Sequence, residues 1–398
     1  MSRPIPSDAR LRVVVLDHTA DLGGGELALA RLCEALDPAE VRVRVIVFAD
    51  GPLVGRLRDG GTPVEVVRLG EGVRGRSRDT LGAWASVRSA WAAVPFVWRL
   101  ARRLRTLRPD VVHTQSLKAD VLGSVAAAVA RAPVVWHVHD RVADDYLPAR
   151  VARVFRWLAE RVPRAVVANS EATAATLPPG AVVAYPGFAP EQVRPDGARE
   201  RVDPSPPVVG LVGRISPTKG QLELVRAVPA VLAAHPGARF RLVGAPLFGG
   251  EDYAADVTAE IARLGLGDAV EVVGHVDDVA AVLDGLSVLV HASPVPEPFG
   301  QVVVEGMVRG VPVVAADAGG VTEILRGDDG PLGVLVPPGD SDALAAAVVG
   351  VLDDPAASRA RAVAAYDAAL ERFPVARAAA TVTATWRTVA ARRGARRA

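Results

Sequence analysis

Only two of the 46 basic residues in this chain of 398 are lysines, Lys118 and Lys219. Arginine is the default cation here, so a lysine marks a place where a compact ammonium is useful. Lys219 shares the segment Gly213-Arg-Ile-Ser-Pro-Thr-Lys-Gly220 with Arg214, directly after the β-branched run 208–212. Two cations beside glycines at a strand end read as a diphosphate clamp rather than a solvated loop. The segment is no P-loop, because it lacks that motif's glycine spacing and its Lys-Ser/Thr ending. A second set is Glu297-Pro-Phe-Gly-Gln-Val-Val-Val-Glu305. Its spacing puts Glu297 in the loop after a run ending at His291, and Glu305 one to two turns into the next helix. Ionised carboxylates accept several hydrogen bonds, which suits hydroxyl recognition. The amides of Phe299 and Gly300 would face a ligand at the helix start. A surface loop followed by an ordinary helical glutamate fits the spacing equally well.

Two further sets lie in the first half. Gly23-Gly24-Gly25-Glu26 follows the first apolar run. Three glycines let backbone amides approach an anion at a positive helix terminus; a flexible loop before an acidic first turn is the equal alternative. His137-Val-His139-Asp140 ends the run 134–136. Alternation points both imidazoles the same way, yet no third ligand of matching spacing accompanies them. A cleft-lining histidine is therefore a better reading than zinc. His113, at another strand end, is a lesser cleft candidate. The only Asp-x-Asp triplet, Asp340-Ser-Asp342, precedes an apolar helical stretch and reads as a helix cap.

The elements that must position these residues alternate along the chain. Runs at 11–16, 41–48, 64–68, 111–114, 134–137, 165–168 and 182–185 read as strands, with amphipathic or alanine-rich segments such as 27–36, 119–130 and 151–161 between them. After a proline-rich stretch the alternation restarts at 208–212, 240–243, 270–273, 288–291, 311–315 and 334–336, with helices at 222–234, 254–264, 279–286 and 343–352. Near-continuous apolar strands separated by helices argue for parallel sheets covered on both faces. The fold class is thus α/β, with two Rossmann-like doubly wound domains facing across a cleft. The expected domains are 1–190, a linker at 191–206, a second domain at 207–375, and a C-terminal helix with a basic tail at 376–398.

Composition excludes several classes. Half the residues are hydrophobic and the formal net charge is +1, which gives no global reason to expect nucleic acid as a partner. The single cysteine, Cys33, allows no internal disulfide and reads as a core position. The apolar run 13–16 is too short for a signal peptide and no stretch reaches membrane-spanning length, so a cytoplasmic location is expected. Segments 96–105 and 153–164 mix aromatics with arginines at helical spacing. Either could rest on anionic lipid as a peripheral contact on the inner face of the membrane, or pack inward with a solvated basic face.

Taken in order, Gly23–Glu26, His139, Arg214 with Lys219, and Glu297 with Glu305 resemble the retaining GT-B glycosyltransferases of the E-x7-E type, known as family 4. The resemblance spans nearly the whole chain and is strongest over 208–324, including Val313-Val-Ala-Ala-Asp-Ala-Gly-Gly320 and Glu323. Asn169-Ser170-Glu171 also matches a recurring strand-end segment, and the least diagnostic stretch is 71–94. The resemblance implies that Arg214 and Lys219 bind the diphosphate of a nucleotide-sugar donor and Glu305 its ribose. Glu297, with the Phe299 and Gly300 amides, would engage the transferred sugar. His139 would sit near the anomeric centre, Gly24 and Gly25 would admit ligand groups, and Val276 would lie near the base. His139, Arg214, Lys219 and Glu297 are the expected catalytic set, with no cofactor and no metal. The acceptor would be a carbohydrate, glycolipid or small molecule, and the hexosyl-type sugar would move with retention. A sugar-nucleotide epimerase on a similar fold, or a non-catalytic carbohydrate-binding protein, are the rivals.

Overall fold

The computed structural model describes residues 10–70, 87–246 and 249–395. Most of the stretch 71–94 and the last three residues of the basic tail lie outside them. The chain divides into two compact units, Met1–Gly187 with Val375–Ala398, and Phe188–Pro374.

In the first unit, seven strands form one sheet: β1 Leu11–Asp17, β2 Val41–Val47, β3 Val64–Val66, β4 Val111–Thr114, β5 Val134–Val138, β6 Ala165–Ala168 and β7 Val182–Val183. Their order is β3-β2-β1-β4-β5-β6-β7, with every pairing parallel. Alternate residues of β1 enter different cores. Val13 and Val15 pack with helices Gly24–Ala35 and Val375–Ala395, whereas Val14 and Leu16 pack under Val87–Leu107, Leu117–Ala130 and Ala149–Arg161. Burial on both faces explains the unbroken apolar runs.

The second unit carries β8 Val208–Val212, β9 Arg239–Val243, β10 Val270–Gly274, β11 Val288–His291, β12 Val313–Ala316, a short hairpin of β13 Arg326–Gly327 and β14 Gly330–Pro331, and β15 Val334–Val336. The main sheet runs β10-β9-β8-β11-β12-β15, again all parallel. Strand order reverses between β8 and β11, as it does between β1 and β4 in the first unit. In open α/β sheets the crevice at such a reversal, outside the carboxyl ends of the strands, is where ligands bind.

One expectation about organisation differs from the structure. The stretch 191–206, expected as a linker, is built into the second unit. Its Arg194 amide donates to Val308 O at 3.0 Å, the Arg194 guanidinium meets Asp284 at 3.1 Å, and Arg201 is buried with its guanidinium on the carbonyls of Asp284 and Leu286. Proline density marked irregular backbone, and irregular backbone can still be packed. The C-terminal helix Val375–Ala395 returns to the first unit, where Val382 and Trp386 are fully buried.

Candidate active site

The clamp loop and the glutamate loop leave the two strands that flank the reversal, β8 and β11. Glycines set the path of the first. Gly213 passes its amide to Val243 O at 2.9 Å, and Gly220, at φ +80, starts helix Gln221–Ala234. A β-carbon on Gly220 would lie 1.9 Å from Ala292 O, so the clamp loop presses directly on the backbone after β11. Ser293 ties the same two loops, its hydroxyl donating to Thr218 O at 2.7 Å.

That closeness brings Lys219 onto Glu297. The ammonium donates to both carboxylate oxygens, at 2.7 and 2.8 Å, which leaves one of its three N–H groups for another acceptor. Behind the carboxylate stands His291, the last residue of β11, with Nε2 3.6 Å from Oε2. Burial pushes the Glu297 carboxyl up, but the Lys219 ammonium and His291 outweigh it and hold the group well below the usual carboxylate range. Glu297 is therefore an anion at any physiological pH. Arg214 opens the same loop, half-buried, its carbonyl accepting from Gln221 Nε2 at 3.0 Å.

The loop bearing Glu297 is braced by the glycine pair after β12. Gly320 donates to Glu297 O at 2.8 Å, and Glu297 and Gly319 form an isolated parallel bridge. A β-carbon on Gly319, which has φ +70, would lie 2.1 Å from Glu297 O. Phe299 is buried with its ring 5.9 Å from Phe373, and Gly300, at φ +108, caps helix Gln301–Val308. The helix places Glu305 where Gln192 Nε2 reaches its Oε1 at 3.1 Å. Val276 is half-buried just beyond Gly274, at the carboxyl end of β10. The sites predicted in this half thus lie at or beyond the carboxyl ends of strands in one sheet, with Lys219 and Glu297 in direct contact. Sequence reasoning had not singled out His291, a lone histidine ending an apolar strand, or the bracing action of Gly319 and Gly320.

In the first unit, His139 follows β5 and stacks on His137, ring centroids 4.2 Å apart. Its carbonyl accepts from Asn169 Nδ2 at 3.0 Å, which gives the Asn169–Glu171 segment a role; Ser170 caps the helix that follows. Nε2 of His139 is hydrogen-bonded to the Gln115 carboxamide. Burial lowers the His139 pKa despite the opposing pull of Asp140 and Asp17, so the ring is neutral at pH 7. Gly24 and Gly25 open helix Gly24–Ala35, and a β-carbon on Gly25 would meet the His139 ring at 4.0 Å. Burial, and then Asp17, push the nearby Glu26 carboxyl up to about 8. His113 has gone inward: it is fully buried and bonded to Trp386, not lining an open surface. Asp340 is a helix cap, its Oδ1 taking the Ala343 amide at 2.9 Å. Among the described residues no group of three or more His, Cys, Asp or Glu side chains is placed to hold a metal ion, and no helix is long and apolar enough to cross a membrane.

Residues 206–354 match Glycosyl transferases group 1 and residues 22–181 match Glycosyltransferase Family 4. The 2-deoxystreptamine glucosyltransferase of Streptomyces kanamyceticus is 31% identical over 360 residues, 83% of this chain and 90% of that protein. The chain belongs to glycosyltransferase family 4. A D-inositol 3-phosphate glycosyltransferase of Streptomyces scabiei shares 30% identity over 89% of this transferase and 84% of its own length. The Anabaena protein HepE, solved in complex with UDP-glucose, superposes with a TM-score of 0.80 at 29% identity, covering 95% of this chain and 100% of that one. The fold is GT-B, and the chain is a glycosyltransferase.

Proposed function

We propose that this transferase moves a hexosyl group, glucose first among candidates, from a uridine-diphosphate sugar to a hydroxyl of a polyhydroxylated acceptor such as a cyclitol or other carbohydrate. The bidentate Lys219–Glu297 contact carries the reading. It puts a cation and an anion at the carboxyl edge beside the strand reversal, where a diphosphate and a sugar need opposite partners. The HepE complex with UDP-glucose supports the donor class, and the names of the two Streptomyces relatives support the acceptor class.

Cleaving the bond from the anomeric carbon to the diphosphate leaves negative charge on the departing oxygen. Arg214 and Lys219 take up that charge, so no metal is required. A unit charge pair about 4 Å apart is worth roughly 4 kcal/mol at an effective dielectric near 20, and fixed charges of this kind are often a dominant catalytic contribution. Glu297 and the Phe299 and Gly300 amides hold the sugar, Glu305 the ribose, and Val276 borders the base. Gly24, Gly25 and His139 are the candidate ligand-binding residues of the first unit. The new bond forms on the face the diphosphate leaves, and the acceptor proton passes to the departing phosphate oxygen, giving retention.

The test is acceptor-dependent UDP release across a panel of nucleotide sugars and acceptors, with and without EDTA, followed by NMR of the product. Retained configuration and EDTA-resistant turnover are expected. An inverted linkage would reject the front-face route, and loss of turnover on chelation would reject the metal-free one. Consumption of the nucleotide sugar with no acceptor present would favour the epimerase instead.

A further inference from the structure

We infer that Trp386, through His113 and Gln115, fixes which nitrogen of His139 carries its proton. The inference rests on the reading of His139 as part of the transferase site. Trp386 Nε1 contacts His113 Nδ1 at 3.1 Å in the core of the first unit. An indole N–H only donates, so Nδ1 of His113 must accept. Burial drives the His113 pKa down to about 3, leaving the ring neutral with its single proton on Nε2. That Nε2 lies 3.3 Å from the atom placed as Gln115 Nε2, while the atom placed as Oε1 meets His139 Nε2. The oxygen and nitrogen of a carboxamide exchange by a half-turn. Placing the amide nitrogen on His113 would set two donors face to face, so the oxygen belongs there and the nitrogen belongs on His139. Nε2 of His139 then accepts, and its proton sits on Nδ1.

The consequence is chemical. His139 offers a ligand an N–H, so it can hold a sugar or phosphate oxygen but does not serve as the base toward an acceptor hydroxyl. Trp386 and Gln115 are positioning residues that act through it.

The experiment is nitrogen NMR of the histidine rings in the full chain, with steady-state kinetics. Pyrrole-type Nδ1 and pyridine-type Nε2 signals are expected for His139. Trp386→Phe keeps the packing but frees His113 to change tautomer, so mixed signals and about a tenfold loss of kcat are expected, the size of one lost hydrogen bond. Gln115→Glu can only accept from both rings, so it should move the His139 proton to Nε2. A proton on Nε2 in the unmodified chain, or unchanged signals in both variants, would overturn the relay. The NMR reads the tautomer even if no transfer activity is found, so the relay and the proposed function can fail separately.

An independent observation concerns the outer face of the same unit. Helices Val87–Leu107, Leu117–Ala130 and Ala149–Arg161 cover one side of its sheet and together hold ten basic but only two acidic side chains, Asp120 and Glu160, in a chain of net charge +1. Asp120 is buried. The outward line of the middle helix is Val121, Val125 and Val129, all exposed. Trp98 and Trp157, on the other two helices, are 59% and 54% exposed, each with an arginine over its ring. Exposed Arg99, Arg102, Arg105, Arg150, Arg153 and Arg161 complete the face. An apolar line with aromatic anchors inside a cationic border matches a bilayer surface bearing anionic headgroups, whereas a second copy would bring like charges together.

We propose that this face rests on anionic lipid. Flotation of the full chain with vesicles of phosphatidylglycerol and phosphatidylcholine, against phosphatidylcholine alone, tests it. Binding to the anionic vesicles that weakens with salt is expected. It should fall at least tenfold in Val125→Asp and in Trp98→Ala with Trp157→Ala, at unchanged melting temperature and unchanged turnover on soluble acceptor. No binding at about 0.1 M salt, variants that bind equally, or a dimer that Val125→Asp dissociates would each overturn it.

Discussion

At the scale of single residues, ionisation decides what each site can do. Removing the ammonium in Lys219→Ala leaves the half-buried Glu297 carboxylate with only His291. Turnover is expected to fall by about 100-fold or more, as when a fixed stabiliser of transition-state charge is lost. Stability should fall by less than the roughly 3–5 kcal/mol that orphaning a fully buried charge costs, because solvent still reaches Glu297. Kinetics beside a thermal melt measure both, and wild-type turnover would remove the clamp. Glu26 gives a pH prediction of the opposite sense. Its folded pKa, about 8, lies above the ordinary 4.5. In that window the folded chain keeps a proton that the unfolded chain gives up, so stability declines as pH rises from 4.5 through 8. Glu26→Gln should flatten the decline, leaving the variant the more stable at pH 8 by a few degrees, at about 2–4 °C per kcal/mol. Parallel melting curves between pH 5 and 8 would show that Glu26 is not the group responsible.

At the scale of elements, positions depend on where backbones touch. Gly319→Ala puts a methyl group into Glu297 O and forces a residue with φ +70 into strain. Its expected effect is a loss of kcat of about tenfold or more, with a melting temperature lowered by only a few degrees, because the loop moves while the sheet remains. A shift in melting temperature with intact kinetics would mean that the brace is not needed. This contact also shows what the sequence could reveal. β8, β11 and β12 were legible because strands buried on both faces must be apolar throughout, and Asp340 was legible because caps have local chemistry. The Glu297 loop was legible as a motif, but the pressure of Gly319 on its carbonyl was not, since it joins residues with no shared periodicity. Helix Pro52–Asp59 was missed because it is short and polar. Arg194 and Arg201 were hidden in a proline-rich stretch whose packing depends on Asp284 and Leu286.

At the scale of the molecule, the route of the chain carries a consequence of its own. Phe188 and Pro374, where the second unit begins and ends, are joined by a parallel bridge, and the Phe188 amide donates to Phe373 O at 3.0 Å. The second unit is thus closed at its base, whereas the first unit needs residues that arrive from the far end of the sequence. Ala379, Val382, Trp386 and Val389 fill one of its cores against Val13, Val15, Val111 and Val135. A buried tryptophan is worth about 3–5 kcal/mol and a buried valine roughly 1.5–3. Losing them together takes a large share of the roughly 5–15 kcal/mol that hold a domain. Ending the chain at Pro374 should therefore unfold the first unit and spare the second. In hydrogen exchange, the amides of β1, β4 and β5 should lose protection while those of β8, β11 and β12 keep it. The truncated chain should still bind UDP, and lose that binding in Lys219→Ala, because Arg214, Lys219, Glu297 and Glu305 all belong to the surviving unit. Equal loss of protection in both units would show that the second is not independent. Retained protection of β1 would show that the returning helix is dispensable.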